Sequence, residues 1–136
     1  NTIIAGNVAS TGPDHNYGYL TSQGHNLLGS SSGTNPLSGS GDKNGVSANL
    51  GTLQNNDGPT WTHALLEGSP AIDAGDDSVL EDPLNLTTDQ RGAGFPRLVG
   101  AHVDIGAFEF QPPGLTCNGK DVTGWGTDGD DVIEGT

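Results

Sequence analysis

The stretch GSPAIDAGDDSVLEDPLNLTTDQRGAGFPRLVGAHVDIGAFEF, residues 68–110, decides the fold. It opens on a compact apolar segment, SPAIDAG, and closes on another, DIGAFEF. Both alternate small or apolar residues with polar ones and are bounded by Gly or Pro, which is a strand signature. The polar middle holds Asp89, Arg91 and Arg97, the two arginines being half of the four basic residues in the chain. Ordered ends around such a middle predict two rungs joined by a structured loop.

Working outward from this stretch, a period emerges. Apolar strand centres fall at Ile3 (NTIIAGN), Leu27 (GHNLLG), Leu50 (ANLGTL) and Ile72 (PAIDAG), which are 24, 23 and 22 residues apart. The step from Ile72 to Ile105 is longer, the excess being the polar loop. Short strands recurring every twenty-odd residues between Gly/Ser/Asn turns mark a solenoid. A β-sandwich would place its strands about 8–12 residues apart. The expectation is therefore all-β: a right-handed parallel β-helix of four to five rungs with an elaborated end loop, over residues 1–110. Asn1, Asn7, Asn26 and Asn49 flank the first strands; they read equally as an inter-rung amide ladder or as solvent-facing turn residues. The Ser/Gly run from Ser30 to Gly41 reads as an exposed loop between rungs. Residues 111–116, beginning Gln111-Pro112-Pro113-Gly114, form a Pro-rich link. Residues 117–136 form a separate acidic tail.

Composition points the same way. Gly accounts for 23 of 136 residues and hydrophobic content is only 31%, which disfavours helix bundles because Gly is costly inside a helix. The net charge of −13 makes nucleic acid an improbable partner, since phosphate binding needs basic neutralisation. Hard divalent cations suit clustered carboxylates better. Cys117 is single, so no internal disulfide is expected. No apolar run approaches the ~18 residues of a membrane span. No signal peptide is expected, since the sequence opens directly on a strand pattern, and it reads as excised from something longer.

The motifs NDGPTWTHALLEGSPAIDAGD, TDQRG, PR and DIGAFEF, in that order, resemble the C-terminal end of secreted right-handed parallel β-helix repeat proteins. The nearest group is the bacterial surface proteins of the choice-of-anchor Q type, and NTIIAGN and SQGHNLLG are similar to its late rungs. The resemblance covers roughly residues 1–110 and implies a β-helix terminus and an extracellular, cell-surface location. The acidic loop DDSVLEDP departs from it. The last residues, GTDGDDVIEGT, resemble the hemolysin-type (RTX) nonapeptide, with Thr127 in place of its second Gly. That resemblance implies calcium at Asp128, Asp130 and Asp131, as a partial site, because one repeat supplies only part of the six to eight oxygens calcium takes.

Parallel β-helices also carry polysaccharide lyases, hydrolases and epimerases, so catalysis has to be weighed on residues. Asp73, Asp89, Arg91, Asp104 and Glu109, with His63 or His102 as base, are the candidates. Against this, Asp73 and Asp104 sit inside strand-like segments at turn-proximal positions. A structural polar cluster of Asp73, Asp89, Arg91, Arg97 and Asp104 is expected instead, with the arginines pairing with Asp73 and Asp104 to close the end loop. The four histidines are scattered and form no zinc-ligand pair. Tyr17, Tyr19, Trp61 and Trp125 read as packing residues ahead of sugar-stacking ones.

The expectation for function is a non-enzymatic structural or adhesive part of a secreted bacterial surface protein. Self-association by end stacking, or neighbouring rungs of a parent protein, is the expected partnership. A polysaccharide or other cell-surface ligand is the further expected partner. A carbohydrate-active enzyme and a calcium-dependent stabilising module are the alternatives.

Overall fold

The computed structural model describes residues 1–7, 20–29 and 36–113 together with two short strands at 116–117 and 120–121. It contains a three-stranded parallel sheet of β1 (Ile3–Ile4), β2 (Leu27–Leu28) and β3 (Lys43–Asn44), in that spatial order. Ile3 stands opposite Leu27 and Leu27 opposite Lys43, so each strand repeats the register of the one before. Each strand is only two residues long. Side chains extend the pairing beyond them. The Asn26 amide oxygen accepts the Thr2 N–H at 2.9 Å, and the Asp42 carboxylate accepts the Asn26 N–H at 2.9 Å. Asn26 thus bridges two successive passes of the chain, while Asn49 bonds the Glu67 carbonyl at 2.9 Å.

After β3 the chain stops stacking in parallel. Strand β4 (Leu50–Gln54) pairs antiparallel with β5 (Thr62–Leu65), Leu53 lying opposite His63. The reversal has a local cause in Asn55-Asn56-Asp57-Gly58-Pro59. The Asn55 side chain accepts the Asp57 N–H at 2.9 Å, and Asp57 takes a left-handed φ of 67°. Beyond β5 come turns, a four-residue 3-10 helix at Asp77–Leu80 and an isolated bridge between Thr88 and Pro96. Strands β6 (Thr116–Cys117) and β7 (Lys120–Asp121) form a separate antiparallel pair.

The four-to-five-rung β-helix expected from periodicity is therefore incorrect. Among the described residues the parallel ladder ends at its third strand, a hairpin follows, and no closed solenoid forms. Ile72 and Ile105, read as strand centres, lie in turns and loops. They are apolar because of the core: Ile105 is buried in it and Ile72 packs half-buried against it. Leu27, Ala48, Leu65, Ala71 and Ile105 form one buried cluster, flanked by Ile3, Val46, Leu50, Ile72 and Phe108. Burial of a loop residue and burial of a strand residue leave the same apolar mark in the sequence, so the period tracked the core and not the ladder.

No helix among the described residues is long and apolar enough to cross a membrane.

Candidate functional site

The 87–110 segment has little regular structure, and its charges organise it. The Asp89 N–H donates to the Phe95 carbonyl at 3.0 Å and the Arg97 N–H to the Thr87 carbonyl at 3.1 Å. Gly92 and Gly94, both at positive φ (88° and 93°), carry the chain through the turn between them. This tight loop brings Asp89, Arg91 and Arg97 onto the chain that follows.

Asp89 and Arg91 form a bidentate pair, with Nη2 and Nε at 2.7 and 2.9 Å from Oδ2. Asp89 also accepts the backbone N–H groups of Arg91 and Glu109, at 2.7 and 2.8 Å. The Arg91 guanidinium is stacked on two rings, 3.7 Å from the Phe108 centroid and 4.0 Å from that of Phe95. Its Nη2 donates to the Glu109 carbonyl at 2.7 Å. A planar cation suits this place because its faces meet aromatic rings while its edge meets oxygen.

Arg97 pairs with Glu109, Nη1 to Oε2 at 2.9 Å, and its Nη2 donates to the Asp104 backbone carbonyl at 3.0 Å. The pairing expected between the arginines and the carboxylates of Asp73 and Asp104 does not form. Asp104 instead accepts the N–H of Asp73, at 2.7 Å, and that of Phe110. Asp73 lies outside the buried set and uses Oδ1 to accept the N–H groups of Ala101 and His102, at 2.9 and 3.0 Å. Each carboxylate thus satisfies backbone donors that a sheet would otherwise have satisfied.

Burial sets the electrostatics. The side chains of Asp89 and Glu109 expose 0% of their surface, and those of Arg91 and Arg97 only 5%. Burial pushes the Glu109 carboxyl up to about 7, outweighing the Arg97 cation and the N–H donors of Asp104 and Val99, which lower it. Burial also raises Asp104, against the lowering effect of the N–H groups it accepts. A perturbed carboxyl is often a sign of catalysis. Here no carboxylate oxygen of the buried pairs reaches solvent, so a substrate cannot touch one.

The two proposed bases stand apart from this cluster. His63 Nδ1 lies 2.7 Å from the Gly51 carbonyl, and His102 Nδ1 lies 2.7 Å from Asp77 Oδ2. Asp77 also accepts the Val103 N–H at 2.9 Å, which clips the 3-10 helix to the end segment. Among the described residues no three His, Cys, Asp or Glu side chains are grouped to hold a metal ion. The calcium candidates Asp128, Asp130 and Asp131, and Tyr17, Tyr19 and Trp125, lie outside the described residues.

Glu109, a catalytic candidate on sequence and absent from the expected structural cluster, is the acceptor for Arg97. Its position between Phe108 and Phe110 was the available signal, since a charge flanked by buried aromatics needs a partner. Trp61, read first as a packing residue, is 66% exposed. It lines an open groove of about 490 Å³ with Leu53, His63, Gln90 and Phe108. No family model, curated protein or solved structure matches the chain.

Proposed function

We propose that the chain is a non-enzymatic structural and adhesive module of an extracellular surface protein. The supporting observation is the state of its charged cluster. Asp89, Arg91, Arg97, Asp104 and Glu109 are buried and spend their hydrogen bonds on one another and on backbone groups. Groups committed in this way hold a loop in place; a glycoside-cleaving pair has to face the sugar from both sides of the scissile bond.

Assembly would run through the parallel sheet. Among the described residues strands β1 and β3 are its two edges, and a β1 edge of one molecule offers a β3 edge of another a parallel continuation of the same register. That contact is heterologous and does not close on itself, so it builds filaments. Light scattering over a range of concentrations should show growing, open-ended association, which Ile4→Lys on the β1 edge suppresses. Incubation with soluble neutral and uronate polysaccharides should release no reducing ends and no unsaturated products. Release of either, abolished by Asp104→Asn or Glu109→Gln in a folded variant, overturns the non-enzymatic reading.

A further inference from the structure

The Trp61 groove carries chemistry that the buried cluster does not. On the β4–β5 hairpin, Trp61 and His63 are two residues apart and therefore share a face, and Leu53 stands directly opposite His63. Leu53 is 52% exposed and Trp61 66%, so the hairpin presents apolar surface to solvent. Gln90 and Phe108 line the same groove. Gln90 comes from the charge-stapled segment, fixed by its backbone N–H to the Ala107 carbonyl at 3.1 Å.

The polar groups there are positioned but not used up. Gln90 Nε2 donates to Thr60 Oγ1 at 2.7 Å, and the Gln90 side-chain oxygen has no partner among the described residues. With Nδ1 engaged on the Gly51 carbonyl, His63 keeps Nε2 for another partner. The chain bears 17 acidic residues, yet no Asp, Glu, Lys or Arg side chain lines the groove. Its volume falls within the roughly 300–1,000 Å³ of small-ligand sites.

We propose that this groove binds a neutral glycan chain, with Trp61 as the stacking platform and Gln90 and His63 as hydroxyl partners. A sugar ring has one apolar C–H face and a rim of hydroxyls, which matches an exposed indole beside an amide and an imidazole. A uronate polymer is disfavoured, because no Lys or Arg side chain lines the groove to pair with its carboxylates and the surrounding chain is strongly negative. The inference rests on the adhesive reading above and gives it a ligand class and a site.

The test is native affinity electrophoresis of the full chain in gels containing hydroxyethyl cellulose, xyloglucan, galactomannan or soluble starch, with alginate as the charged control. At least one neutral polymer should retard the chain and alginate should not. Trp61→Ala should weaken that retardation about tenfold, the size of a lost aromatic contact, and Gln90→Ala by a few-fold. Since Trp61 is largely exposed, its variant should melt as the parent does. Three results overturn the site: no retardation by any neutral polymer, retardation unchanged in Trp61→Ala, or equal retardation by alginate. Self-association lost in Trp61→Ala without any glycan response would make the groove a contact between copies and also overturn it. Retardation accompanied by cleavage would keep the site and overturn only the non-enzymatic reading.

Discussion

Arg97 Nη1 lies 2.9 Å from Glu109 Oε2, and both side chains are buried. Twelve residues separate them in the chain, and the second guanidinium nitrogen of Arg97 holds the Asp104 carbonyl. One side chain therefore ties the start of the end segment to its finish. Together with Asp89–Arg91 it makes a loop-rich region behave as a fixed element, because the bonds a β-ladder would make are made by carboxylates and guanidinium groups.

Arg91 should tolerate no substitution. Arg91→Ala strands the buried Asp89 carboxylate and should cost about 3–5 kcal/mol in denaturant unfolding. Arg91→Lys keeps the charge and loses both the bidentate edge and the planar stack between Phe95 and Phe108, so it should recover less than half. Full recovery by Lys would mean that charge alone matters at this position.

Stability should fall as pH rises through the Glu109 titration. Its folded value of about 7 stands above the ordinary 4.5, so the native state binds more protons than the unfolded chain between these limits. That contribution is complete below about pH 4.5 and gone above about pH 7. Asp104, also raised by burial, adds the same sign. Asp42, Asp76 and Asp77 are lowered from 3.8 and work oppositely, but only at more acid pH. The melting temperature should thus be higher at pH 5 than at pH 7.5, and Glu109→Gln should flatten the slope. A rise in melting temperature with pH across this window would contradict the burial of Glu109.

Gly100 should be irreplaceable for a backbone reason. Its φ is +110°, and a Cβ there would stand 2.6 Å from Asp73 Oδ1, the atom that accepts the Ala101 and His102 N–H groups. Gly100→Ala should therefore cost about 1–3 kcal/mol by strain and by loss of that turn. A variant that melts unchanged would mean the turn is not held by Asp73.

Much of the core and part of the cluster were legible in the sequence; the connectivity was not. Ile3 and Leu27 do pair in register, and Leu50 begins a strand. The third parallel strand, Lys43–Asn44, escaped because it carries no apolar residue and follows the Ser/Gly run. Its pairing is set by the neighbouring Leu27–Leu28 strand and by the Asn26–Asp42 bonds, which no local pattern announces. The hairpin was written in Asn-Asn-Asp-Gly-Pro, a turn signal that the longer period obscured. The arginines stood out as rare cations in an acidic chain. Which carboxylate each would meet depends on how the 87–97 loop folds back, and spacing alone cannot give that.

The most direct measurement is a double-mutant cycle on Arg97 and Glu109, with Arg97→Met, Glu109→Gln and the double variant unfolded in denaturant at pH 8. At that pH Glu109 is ionised in the parent chain, so Arg97→Met removes the cation facing a buried carboxylate and leaves it only the Asp104 and Val99 N–H donors, which should cost about 3–5 kcal/mol. In the Glu109→Gln background the same change should cost about 2 kcal/mol less, a coupling of the size seen for charged hydrogen bonds. At pH 5, with Glu109 protonated, much of the difference should vanish. Equal costs for Arg97→Met in both backgrounds would mean that the two side chains act independently, and that the end segment is not closed by this pair.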